Sequence, residues 1–184
     1  MAAINSREKG KGNERENCKY FTKWWKKPRC EFQRTDAFQT LDRSKRMVFG
    51  DIIPILLDRN DFDREFPFSI ELKKEEGWCL THLLKANPAS CFSAWWKQCT
   101  EDARRWSKAP LLVFGKNYTG HFAVYRLSDL NKELGKSLVL SNVEHNQGFT
   151  AIINSDSVRI LPLNDFFRRF TPAHLVVNAE ATKG

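Results

Sequence analysis

The sequence predicts a mixed α/β domain, a small central sheet flanked by helices, and three observations carry that expectation. Two stretches set apolar residues three and four apart. Cys18, Phe21, Trp24 and Trp25 mark the first, and Phe92, Trp95, Trp96, Cys99, Ala103 and Trp106 the second. Between and after them lie short runs rich in β-branched and aromatic residues, which suit strands. The order helix, strands, helix, strands is that of helices covering a sheet. At 184 residues and 41% hydrophobic content the chain can bury one core, and wholesale disorder is excluded.

Taken in order, Arg7 to Trp25 reads as a helix with Lys and Glu on its outer face, ended by Pro28. Cys30 to Thr35 is extended. Asp36 to Arg46 is polar without a period and reads as a mobile basic loop. Val48 to Leu57 suits a strand bent at Pro54. Asp58 to Glu65 is a charged connection. It lacks the glycine of a calcium loop and sets Phe62 at a ligand position, so that reading is rejected. Phe66 to Lys73 is the next strand, forming a hairpin with the one before. Ser90 to Trp106 is the second helix, and Pro110–Gly115 and His121–Leu127 are strands. Ser137 to Asn154 has room for one more strand pair. Val158 to Leu163 is a strand leading into a short helix, Asn164 to Phe170, with Asn164 as its N-cap. The expected organisation is a disordered N-terminus over 1–6, a single domain over 7–172 and a frayed tail over 173–184.

The formal net charge is +8 and the pI about 9.4, which favours a polyanionic partner. Between Arg7 and Arg46 stand thirteen basic and six acidic residues, so nearly all the excess lies in the first quarter of the chain. Such a segment can grip a nucleic-acid backbone. A membrane surface is the rival, but no basic helix has a clean apolar face, and no apolar run nears the ~20 residues of a membrane span. The charged N-terminus, with no apolar segment behind it, gives no reason to expect a secretory leader, and a cytoplasmic location is expected. The five cysteines show no C-x-x-C spacing and the four histidines are scattered, so free thiols are expected rather than a zinc site.

The chemistry concentrates in Val48-Phe-Gly-Asp51-Ile-Ile and, twenty residues later, Ser69-Ile-Glu71-Leu-Lys73. Strand alternation points Glu71 and Lys73 to one face and Leu72 to the other. Pairing with the preceding strand can bring Asp51 beside Glu71. Two carboxylates with a lysine nearby suit a hard cation and a scissile phosphate, and the backbone carbonyl of Leu72 is a further natural ligand. Phosphodiester hydrolysis fits these parts.

This D…E-x-K pattern across a hairpin resembles the PD-(D/E)xK nuclease superfamily. Gly10-Lys-Gly-Asn-Glu14-Arg, Gly50-Asp51-Ile-Ile and Ile70-Glu71-Leu-Lys73 together resemble the archaeal-type and phage-encoded Holliday junction resolvases. Trp95-Trp-Lys-Gln98 and Pro110-Leu-Leu-Val-Phe also look like phage members, and the likeness spans roughly residues 7 to 115. It implies a restriction-endonuclease-like fold and Mg²⁺, with Mn²⁺ as substitute. It further implies a homodimer cutting four-way DNA junctions in the host cytoplasm. Glu14 is the match to the family's early-helix metal ligand, and Gln98 to a glutamine near the catalytic water. The residue before Asp51 is Gly50 rather than proline, a departure common among resolvases that should do little harm, and Ser44 is the candidate for a serine some resolvases carry in the preceding loop. The candidate phosphate contacts are Arg7, Lys9, Lys11, Arg15, Arg43, Lys45, Arg46 and Lys74.

Plainer readings stand beside these. Glu71 and Lys73 could be the solvent side of an exposed strand, yet Ile70 and Leu72 on either side both want burial. Glu14 could be a solvated helix position beside Arg15, Gln98 a surface glutamine, and Glu75 and Glu76 mere flanks. Trp95 and Trp96 suit core and dimer packing, and His82, His121, His145 and His174 structural roles. Two other functions stay open: a phage-type exonuclease or related nuclease working on DNA ends, flaps or linear duplex, and a non-catalytic DNA-binding module.

Overall fold

Alternation along Ala109–Gly115 divides the interior into two halves. Leu111 and Val113 belong to one buried cluster, with Phe21 and Trp24 of the first helix and Phe166 of the last. Leu112 and Phe114 belong to the other, with Phe92, Trp95, Trp96 and Cys99 of the middle helix. One strand buried on both faces therefore lies at the centre of a layered α/β fold. The computed structural model describes residues 6–36, 50–79, 81, 90–126, 128–129, 148–172 and 175.

Helix α1 (Ser6–Trp25) is followed by strands β1 (Cys30–Arg34), β2 (Ile52–Leu56), β3 (Asp61–Phe62) and β4 (Phe68–Lys74). Helix α2 (Cys91–Arg105), strands β5 (Ala109–Gly115), β6 (His121–Arg126), β7 (Phe149–Ile153) and β8 (Asp156–Pro162), and helix α3 (Leu163–Arg169) complete the order. The eight-stranded mixed sheet runs β1-β2-β4-β5-β6-β8-β7, with β3 branching from β2. Only β4 and β5 pair in parallel among these strands, and α2 lies between them in the chain. This open mixed sheet with helices on both faces is consistent with a restriction-endonuclease-like fold, and it is larger than the small sheet expected.

Residues of α1 facing the sheet, Phe21, Trp24 and Trp25, are buried, as the spacing required. The helix stops at Trp25 because Lys26 turns left-handed (φ 51°), two residues ahead of Pro28. The Trp24 indole N–H donates to the Phe170 carbonyl at 2.7 Å and ties α1 to α3.

Strand β2 departs from the expected simple hairpin. It pairs with β4 only at Ile52↔Ile70, whereas beyond Pro54 it carries β3 through Ile55↔Phe62 and Leu56↔Asp61. Pro54 supplies no donor to that side, and its carbonyl accepts the Asp63 N–H at 2.8 Å. The expected charged connection thus contains a strand two residues long. At the far end, α3 has Pro162 rather than Asn164 at its N-cap, with no side-chain cap. Proline has the φ that a helix entry needs, so Asn164 falls inside the first turn.

Candidate active site

Gly50 and Asp51 hold the start of β2 against the middle of β4. The Asp51 N–H donates to the Ile70 carbonyl at 2.8 Å, and the Thr35 N–H donates to the Asp51 carbonyl at 3.0 Å. Gly50 turns the chain away with φ 89°. A Cβ there would lie 2.7 Å from the Ile70 carbonyl oxygen. Neither proline nor any larger residue fits this conformation, so glycine at this place is a requirement of the fold.

With its backbone turned off, the strand continues its ladder through a side chain. Asp51 Oδ2 accepts the Leu72 N–H at 2.7 Å. The Leu72 carbonyl leaves β4 on the same side as its N–H. The ladder pairs Ile52 with Ile70, and just before it Asp51 lies close enough to Glu71 for its charge to act there.

Leu72 belongs to the cluster under α1. Glu71 and Lys73 face α2, in register with Leu112 and Phe114 of β5. Glu71 is only 2% exposed. The Lys73 ammonium pairs with its Oε1 at 2.7 Å. Lys73 also donates to Gln98 Oε1 of α2 at 3.1 Å.

The electrostatics follow from this burial. Asp51 is pushed up to about 6, first by desolvation and further by the charges of Glu14 and Asp102, against the Leu72 hydrogen bond and Lys73. Glu71 is pushed up to about 7, by desolvation and then by the charge of Asp51, with Lys73 opposing. Burial works against the charge of Lys73, but Glu71 and Asp51 outweigh it and its pKa is raised. Two buried carboxylates that repel one another, opposed by a single lysine, fit a hard divalent cation better than they fit each other. Among the described residues no three His, Cys, Asp or Glu side chains converge to hold a metal ion.

The remaining candidates are distributed unevenly. Glu14 acts on Asp51 through its charge, yet its carboxylate is paired with Arg34 of β1, on the α1 side of the sheet. Arg7 and Lys9 lie on the first turns of α1, Lys11 lies 3.8 Å from Glu8, and Arg15 is exposed. Lys74 alternates away from Lys73 and faces Glu16 of α1 at 3.8 Å. Arg43, Ser44, Lys45 and Arg46 lie outside the described residues, as do His82, His145 and His174. Glu76 accepts the Asn117 N–H at 3.1 Å, as a flanking residue would. His121 is structural, 3.0 Å from the Asn13 amide oxygen beneath α1. Trp95 and Trp96 are core.

Asp102 was not among the candidates. One turn beyond Gln98, it acts through its charge on Asp51 and Glu71. Its own pKa is raised by burial, with Arg105 opposing and Glu101 adding to the rise. Its spacing of four from Gln98 on a helix over the site was the available signal.

A protein-family model, described as "Phage putative PDDEXK endonuclease", matches residues 5–176. No curated protein and no solved structure gives a match. No described helix is long and apolar enough to cross a membrane. The family match takes in both carboxylates and the lysine of the D…E-x-K pattern and covers nearly the whole sequence, and the chain belongs to this family of phage PDDEXK endonucleases.

Proposed function

We propose that the protein is a metal-dependent, structure-selective DNA endonuclease, a Holliday junction resolvase whose cutting centre is Asp51, Glu71 and Lys73. The observation that carries the centre is the buried Glu71 carboxylate, set beside a second carboxylate that pushes its pKa up, with the single Lys73 ammonium to oppose the two. Two carboxylates held out of water against a single ammonium are costly, and a further cation completes such an arrangement.

Asp51, Glu71 and the Leu72 carbonyl would hold Mg²⁺, with Mn²⁺ as substitute and Glu14 as a further carboxylate once it leaves Arg34. Bound there, the cation would polarise the scissile phosphate and acidify an attacking water. Lys73, fixed between Glu71 and Gln98, offers its ammonium to the charge that grows on the phosphate. Gln98 orients Lys73 and borders the position of the water. Arg7, Lys9, Lys11, Arg15, Arg43, Lys45, Arg46 and Lys74 serve the DNA backbone, Lys74 by exchanging Glu16 for a phosphate. Cutting both strands of a four-way junction takes two centres, so the acting form is a homodimer in the host cytoplasm.

The junction preference is tested by offering a labelled four-way junction and a linear duplex of the same sequence in one reaction with Mg²⁺. Preferential, paired nicks near the branch point support the resolvase reading. Equal cutting of both substrates, or degradation from ends, replaces it with a general or end-directed nuclease.

A further inference from the structure

The acidic residues of α1 each have a partner. Glu8 lies 3.8 Å from Lys11 and Glu14 is paired with Arg34. Glu16 accepts the Tyr20 hydroxyl at 3.0 Å and faces Lys74 at 3.8 Å. The cations of the outward face have none. Arg15, Lys19, Lys23 and Lys26 are exposed, and among the described residues none of them forms an ion pair. At 3.6 residues per turn Arg15, Lys19 and Lys23 fall within an arc of about 80° and span about 12 Å of the helix, and Lys26 follows just past its end. A row of unneutralised charge on one side of one helix is left.

The row starts beside Glu14, whose charge reaches Asp51. It ends at a groove of about 730 Å³ between α1 and α3, lined by Tyr20, Lys23, Trp24, Lys26, Phe167 and Arg168 among others. The floor is aromatic: Trp24 stacks on Phe167 with ring centroids 4.9 Å apart, and Tyr20 at the side is 43% exposed. The rim is cationic.

We infer that this ridge and groove form a second nucleic-acid site, which takes an unpaired DNA strand leaving the cutting centre. The inference rests on the reading of the protein as a DNA nuclease. Cations in a row track a phosphate backbone. An aromatic groove of this size gains from a strand only if base faces are free, as they are in single-stranded DNA and not inside a duplex. Glu71 and Lys73 face α2 on the other side of the sheet, so the ridge is distinct from the cutting centre, and Glu14 at its start is close enough for its charge to act on Asp51.

Fluorescence anisotropy of a labelled oligothymidine, read in EDTA so that nothing is cut, tests this directly. The wild type binds. Lys19→Glu/Lys23→Glu binds at least about tenfold more weakly, and its salt dependence is shallower by about 1.4 in log–log slope. Tyr20→Ala loses about fivefold or more through stacking, with its salt slope unchanged. Both variants should melt like the wild type, because all three side chains are exposed. Affinities within twofold of wild type in both variants overturn the inference. So does a polyglutamate peptide that displaces the oligonucleotide while Tyr20→Ala changes nothing, since the groove is then a dock for acidic protein. A protein that cuts no DNA yet shows the two losses contradicts the cutting centre and keeps the second site.

Discussion

The carboxylate of Asp51 accepts the backbone N–H of Leu72 at 2.7 Å, where Gly50 has turned the strand away. One side chain therefore closes the sheet and faces Glu71, and its two duties can be separated. Asp51→Asn keeps an acceptor for Leu72, whereas Asp51→Ala leaves that N–H without one. The Ala variant should be less stable than the Asn variant by about 1–3 kcal/mol in urea denaturation. Neither should cleave DNA. Equal stabilities would show that the hydrogen bond does not hold β2 to β4.

Without metal, stability should fall as pH rises through the range between the ordinary carboxylate values and about 7. Asp51 and Glu71 have raised folded values, about 6 and about 7. The folded state therefore binds more protons than the unfolded chain in that window. Both groups are neutral below it and both are ionised above it, where holding them charged out of water, with their repulsion added, costs on the order of a few kcal/mol. Glu71→Gln should flatten the profile relative to wild type, and Mg²⁺ should raise the melting temperature of the wild type most at pH 8. A wild-type profile that climbs over pH 5–8 relative to Glu71→Gln would contradict the repulsive pair.

Gly50→Ala should destabilise the protein by about 2 kcal/mol or more, since the new Cβ meets the Ile70 carbonyl and φ lies in the left-handed region. Gly50→Pro should do more harm, because proline fixes φ near −65°. Urea midpoints decide this. A neutral Gly50→Pro would mean the turn can be rebuilt.

Lys73 and Gln98 should differ in kind. Lys73→Ala removes the charge beside the phosphate and should lower the cleavage rate by about a hundredfold or more. Gln98→Ala only releases one anchor of Lys73, for a loss of about tenfold. Single-turnover rates at saturating DNA separate the two. A larger loss from Gln98 would place it in direct contact with substrate.

Much of this centre was legible because a strand repeats every two residues. Ile70 and Leu72 demanded burial, so Glu71 and Lys73 had to share the other face. Gln98 was named by the family resemblance alone, and the structure sets it against Lys73. What escaped had weak local signals. Asp61–Phe62 is too short to show a period, and β3 is fixed by Pro54 sending β2 aside. The glycine at position 50 looked like an interchangeable neighbour of Asp51, because its φ is set by the turn and not by its own side chain. Glu14 stands on the right helix near Asp51, but Arg34, twenty residues on, engages it, a tertiary pairing that no spacing predicts. Asp102 was hidden because its meaning depends on α2 lying over β4.

Cleavage of labelled DNA by wild type and by Glu71→Gln, each with Mg²⁺ and with EDTA, tests the central claim most directly. The wild type should cut with Mg²⁺ alone, and Glu71→Gln should not cut but should still bind DNA. Cleavage that persists in Glu71→Gln, or that is indifferent to EDTA, would contradict the assignment of the centre to Asp51, Glu71 and Lys73.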